Sequence, residues 1–228
     1  METTPLRARI LETIIRKSTL KQKVFDNTFA AFNLLKETLL EMASEMDDEL
    51  DGKLDRRVRI EYRDRGKFEA QLQVANDLLI FQMHTDVFEF DANHLIWQNP
   101  YVQSDRDNSY CGVINIYNFL SDSFKFNRNA DEGYLIGRIF INRERCYFAE
   151  GKQQNSMRAM SFGKAEIDRD ALVDVLEAAI AFSLDFDLLM PPYEENKRVT
   201  VDQFNTKMDN SKFVTGKRLG YDFDVEDI

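Results

Sequence analysis

From Phe25 to Met46 the apolar positions Phe25, Thr28, Phe32, Leu35, Leu39, Met42 and Met46 recur in alternating steps of three and four. That spacing predicts one apolar stripe on a helix about three heptads long, widened by Phe29, Leu34 and Leu40. A weaker stripe precedes it, through Leu6, Ile10, Thr13, Ile14 and Lys17, with Ser18 or Thr19 expected to break or cap the chain between them. The helical region is therefore read as 5–52, closed by Asp51-Gly52.

The period then changes to two. Val58, Ile60 and Tyr62 alternate with charged residues, and after Asp64-Arg65-Gly66 the positions Phe68, Ala70, Leu72 and Val74 do the same, which predicts a hairpin with one wet face. Leu78-Leu79-Ile80-Phe81 is continuously apolar and is expected to be buried on both faces. Further strands are predicted at 87–91, 95–98, 110–119, 134–142, 145–150 and, at an edge, 157–162, separated by polar excursions at 99–109 and 121–133. Asp168 is the predicted N-cap of a final helix over 169–190, apolar nearly all round and ended by Pro191-Pro192. The remaining 193–228 read as a polar tail, with a capping box at Thr200 and Gln203 and an acidic-aromatic end that packs on its own domain or on a partner.

Short strands joined by tight turns, without intervening helices, exclude βαβ units. The expectation is a single α+β domain over 1–192: an antiparallel β-meander of about seven to nine strands covered by the N-terminal helical segment and a long C-terminal helix, with 193–228 as an extended tail. For a chain of 228 residues and 26.7 kDa, surface scaling has roughly 72% of the unfolded surface buried, enough for a core without staples.

Charge narrows the partners. Thirty Lys and Arg against forty Asp and Glu leave −10, which repels phosphate polymers and anionic lipid except at a local basic face. One such face is Arg57, Arg59 and Arg63 on a single predicted strand, and the favoured reading is intramolecular pairing, with seven acids immediately upstream as compensation, or a solvated face. There is no leader-like start and no apolar run of membrane-spanning length, so the chain is expected to be cytoplasmic. Cys111 and Cys146 lie in apolar runs and read as reduced structural thiols.

Chemistry-bearing patterns are sparse. The two histidines, His84 and His94, flank a segment containing Asp86, and these three are the candidate metal ligands, at a spacing that matches no established set. No glycine-rich phosphate loop and no Gly-x-Ser-x-Gly elbow occurs, and no catalytic residue or cofactor is assigned. Aromatic residues, eighteen Phe and eight Tyr, either fill the core or line an apolar cavity between sheet and helix. The leading functional expectation is a non-enzymatic, self-associating interaction protein using the 24–46 helix stripe (Phe25, Phe32, Leu35, Leu39, Met42 and Met46) or the acidic-aromatic tail. A binder of a small apolar ligand between sheet and helix, and an enzyme with an unrecognised site, are the alternatives.

Overall fold

The computed structural model describes residues 4–53, 55, 58–129, 131–151, 161–185 and the single positions 193, 197, 198, 200 and 201. Helix α1 runs without interruption over Pro5–Leu50, 46 residues, or about 69 Å at the usual helical rise. The expected break at Ser18 or Thr19 does not occur. Neither residue is glycine or proline, and the cost of a serine or threonine inside a helix is a few tenths of a kcal/mol, about what neighbouring propagation offsets. Pro5 stands in the first turn, where its missing N–H is harmless.

Six strands follow: β1 (Ile60–Asp64), β2 (Glu69–Val74), β3 (Asp77–Met83), β4 (Cys111–Leu120), β5 (Tyr134–Asn142) and β6 (Tyr147–Gly151). They pair in chain order, each antiparallel to the next, so the sheet is an uninterrupted meander. Helix α2 (Pro100–Ser104) lies between β3 and β4, α3 (Ser121–Lys125) follows β4, and α4 (Arg169–Leu184) closes the described domain.

The strand count falls short of the expected seven to nine because 87–98 does not form strands. Phe88 makes only an isolated bridge to Cys111, and Leu95–Gln98 is a 3-10 turn. Short polar side chains divert this stretch: Asp91 Oδ1 accepts from the Asn93 N–H at 2.9 Å, and His94 Nδ1 accepts from the Ile96 N–H at 3.2 Å. Asn99 and Asp105 then cap the next two helical turns in the same way. Side chains that satisfy nearby backbone donors compete directly with a strand ladder. The expected strand at 157–162 falls mostly outside the described residues; Ser161 and Phe162 are in a turn. Also outside lie Arg57, Pro191-Pro192, Gln203 and the acidic-aromatic end, together with 186–190 of the predicted final helix.

One face of the sheet carries Ala70, Leu72, Val74, Leu79, Phe81, Met83, Ile114, Ile116, Ile139 and Ile141 into a single core with α1 and α4. From α1 come Ala31, Phe32, Leu35, Leu39, Met42 and Ala43, and from α4 Leu172, Val175, Leu176, Ala179, Ile180 and Phe182. Asp168 caps α4 as expected, its Oδ1 accepting from the Ala171 N–H at 2.9 Å. On the opposite sheet face a smaller core forms at one end from Ile96, Val102, Cys111, Val113, Phe140, Cys146, Phe148 and Phe162. This second layer is what the 91–109 turns build. β3, with Leu78 and Ile80 buried on the outer side and Leu79 and Phe81 on the inner, is covered on both faces as its composition requires.

Two contacts set where α1 lies. At Gly112 a Cβ would stand 2.2 Å from Thr28 Oγ1, so only glycine lets the helix approach β4 this closely. Next to it, Asn27 Nδ2 donates to the carbonyls of Asn142 and Arg143, at 3.1 and 2.7 Å. Asn142, fully buried, holds the β5–β6 turn: its Oδ1 accepts from the N–H groups of Glu144 and Cys146, and its Nδ2 donates to Tyr101 Oη and the Asn108 carbonyl. All four hydrogen-bonding positions of the amide are thereby used.

Candidate functional site: a projecting helical arm and an outer-face pocket

The six residues singled out as an interaction stripe are placed in the protein's own core. Phe32, Leu35, Leu39 and Met42 are buried, and Phe25 and Met46 pack partly buried against them. A partner has no access to this stripe in the folded chain.

The other end of the same helix is bare. Leu20 is the first buried residue of α1, and every residue from Pro5 to Thr19 is exposed. About 22 Å of helix thus projects past the body. The arm presents five large aliphatics to solvent: Leu6 and Ile15 at 67%, Ile14 at 55%, Ile10 at 48% and Leu11 at 47% exposure. They fall in two i, i+4 rows, Leu6–Ile10–Ile14 and Leu11–Ile15, side by side on one half of the helix. The first row continues the stripe that farther along lies on the sheet, but the sheet has ended. Scattered single aliphatics need no explanation, but a contiguous exposed set does.

Charge divides α1 as sharply as burial does. Residues 5–23 hold six cations and one acid, while residues 37–51 hold seven acids and no cation. The arm is anchored where it leaves the body. Arg16 lies 3.7 Å from Asp107, which also faces Arg143 at 3.9 Å, and Arg143 bonds Asp105 at 2.5 Å. Hydrogen bonding to Arg143 and to the Asp107 N–H holds the Asp105 carboxyl below the usual carboxylate range.

Both histidines line one pocket on the outer sheet face, about 360 Å³ in volume. Phe88, Phe90, Val113 and Phe140 form its apolar walls, with Asn115, Arg138 and Glu150 as polar groups. Each oxygen of Glu150 is engaged, Oε1 with His94 Nε2 at 3.1 Å and Oε2 with Arg138 at 2.7 Å. Because His94 Nδ1 accepts from a backbone N–H, the ring carries its proton on Nε2 and donates it to Glu150. Neither His94 nitrogen has a free lone pair. His84 Nδ1 accepts from the Asp86 N–H at 3.0 Å and the ring packs edge-on to Phe88. Asp86 does not line the pocket, and among the described residues no group of three His, Cys, Asp or Glu is placed to hold a metal ion.

Between sheet and α4, where the alternative reading puts a ligand cavity, the pocket lined by Ile116, Ile136, Val175 and Phe182 holds about 30 Å³, room for one water. Cys111 and Cys146 are free and buried, and burial pushes both thiols up, Cys111 well above the ordinary range. Burial raises the Tyr101 phenol as well, reinforced by its 2.6 Å hydrogen bond to Glu144. These groups sit neutral inside the fold.

Arg59 and Arg63 stand on the outer face of the first hairpin. Arg63 pairs with Glu61 of its own strand, at 2.7 Å, not with the acids upstream; of the cations nearby, Lys36 bonds Asp64 at 2.9 Å.

Fold and surface together describe an α+β helix-on-sheet protein with a cationic, amphipathic helical arm; no helix among the described residues is long and apolar enough to cross a membrane. Comparison with family models, with curated proteins and with solved structures finds no match to the chain.

Proposed function

We propose that this is a self-associating interaction protein whose contact with a second copy is made by the projecting arm of α1. The observation that carries the reading is the set of five exposed aliphatics on 15 consecutive exposed residues of helix, joined to the body at their root by the Arg16–Asp107 ion pair. The second copy is favoured as occupant by charge. Pairing two α1 helices antiparallel brings the cationic arm of one beside the acidic 37–51 end of the other, where Leu40 is 55% exposed among Glu37, Ser44 and Asp47. Two arms side by side would instead bring four cations against four.

Light scattering after size exclusion tests this at several protein concentrations and at 0.1 and 1 M salt. The expected result is a dimer at low salt that weakens as screening shortens the range of charge. Ile10→Glu with Ile14→Glu is expected to give a folded monomer, and Glu45→Lys with Asp48→Lys to weaken association from the other side. A chain that stays monomeric at every concentration overturns the reading, and a monomer that instead binds anionic vesicles through the arm assigns the aliphatic face to lipid.

A second reading, small-ligand binding, is supported by the outer-face pocket, whose volume and convergent Asn115, Arg138 and His84 suit a compact polar-aromatic molecule. Native mass spectrometry before and after denaturation tests it. A non-protein mass lost on unfolding, and absent from His84→Ala and Arg138→Ala proteins, supports it.

A further inference from the structure

A groove of about 700 Å³ lies between the outer face of the β1–β2 hairpin and α3. Four cations line it, Arg59, Arg63, Arg65 and Lys125, against a single carboxylate, Asp122. Two of the arginines are held by acids along the hairpin: Arg63 by two hydrogen bonds to Glu61, at 3.0 and 2.7 Å, and Arg65 by Glu69 at 4.0 Å. Those bonds and the nearby Arg59 charge keep the Glu61 carboxyl below its usual range, so the pair stays ionised and the guanidinium stays oriented. Neither Arg59 nor Lys125 has an ion-pair partner among the described residues. Amide side chains of Gln71, Gln73 and Asn76 and the Ser121 hydroxyl supply further polar groups at the groove wall.

Gathering four cations around one concavity costs repulsion, in a chain whose overall charge is −10. An anion seated among them would relieve it, and low-dielectric walls focus the attraction. The net charge of −10 favours one kind of anion. A phosphate polymer has to run on across a chain of like charge, whereas a compact polyanion fits within the groove, where four cations face the single carboxylate Asp122. At the rim Phe124 is half exposed, at right angles to Phe119 with ring centroids 5.2 Å apart, so an aromatic ring is open to solvent beside the cations.

We propose that this groove binds a compact, multiply charged phosphate ester bearing a planar base, a nucleoside polyphosphate, with Arg59, Arg63, Arg65 and Lys125 on the phosphates and Phe124 against the base. The site is separate from the arm and stands whether or not the chain self-associates.

Equilibrium binding of adenosine triphosphate, inorganic triphosphate and a ten-nucleotide single-stranded DNA to the full chain, each at 50 and 300 mM salt, tests it. The nucleotide and the inorganic triphosphate are expected to bind one per chain and to weaken with salt. Arg59→Gln combined with Lys125→Gln should weaken both at least about tenfold, a loss of roughly 1.4 kcal/mol. Phe124→Ala should weaken the nucleotide alone. Arg7→Gln with Arg9→Gln, which lowers the charge of the arm, should change neither. These sites are on the surface, and unchanged urea midpoints verify that the variants fold. Absence of binding at millimolar nucleotide, equal binding by the Arg59/Lys125 variant, or tighter binding of the oligonucleotide than of the nucleotide would each overturn the proposal.

Discussion

The two ends of α1 share a helical apolar pattern and meet opposite fates. In 20–46 the stripe faces the sheet, and Val24, Phe32, Leu35 and Leu39 are entirely removed from water. In 5–19 an aliphatic stripe of comparable density faces solvent, because the sheet beneath it ends near Tyr110 and Val87, the last residues to pack on Leu20 and Val24. Periodicity therefore reports that a face will be covered, but not by what. The body supplies a cover for one half and leaves the other exposed to solvent.

Substitutions sharpen that contrast. The largest effect is expected in the buried half: Phe32→Ala should cost about 3–5 kcal/mol in urea denaturation, because it opens a cavity under a closed sheet. Phe32 or Leu39 made charged would unfold the body and so cannot report on association. Ile14→Ala in the arm should change the stability of the monomer by less than about 0.5 kcal/mol while weakening the dimer. Equal losses at the two positions would mean that the arm is covered within the chain.

Next in size is Asn142→Ala, which strips four hydrogen bonds from the buried hub against which α1 is tied. About 2–3 kcal/mol is expected by the same measurement, since backbone donors of Glu144 and Cys146 are left without a partner. Gly112→Ala drives a methyl into Thr28 and should cost about 1–3 kcal/mol, partly recovered by Thr28→Ala. The contact would be less tight than the geometry states if the single change proved neutral.

The smallest effect concerns the arm's root. The Asp105 carboxyl is depressed in the folded chain, so its contribution to stability is fully present above its unfolded value near pH 4 and is lost as the pH falls through the lower folded value. Comparing urea midpoints of the natural chain and Asp105→Asn at falling pH should show a small deficit in the variant at pH 6 that narrows as the medium becomes acidic. In the same preparations both thiols should resist an aromatic disulfide reagent until the chain unfolds, given their burial and raised ionisation. Fast reaction of either would contradict their place in the core.

The strand-helix outline was legible where one period ran undisturbed. The α1 stripe, the Ile60–Asp64 and Glu69–Val74 hairpin, the doubly buried β3 and the Asp168 cap each follow from local spacing. The reading failed at 87–98, where apolar residues alternate as in a strand but Asp91, Asn93 and His94 turn the backbone with their own side chains. At Ser18 and Thr19 the break or cap that these residues permit does not form, and the helix runs through. Of the surface features, the arm aliphatics were visible as a weaker stripe, and Arg59 and Arg63 as a basic strand. Nothing local linked Arg59 to Lys125, which stand 66 positions apart in the chain, nor His84 to Glu150.

By itself the amino-acid order determined the class of the fold, α+β on an antiparallel meander, because strand and helix periods depend only on backbone geometry and on which residues avoid water. It also determined the polarity of α1, cationic at one end and acidic at the other. Tertiary structure alone decided which stretch of a continuous apolar stripe is core and which is surface, because that depends on where the sheet stops. It likewise decided which charges share a groove, because a meander brings residues together by strand order across the sheet, a distance that sequence separation does not measure.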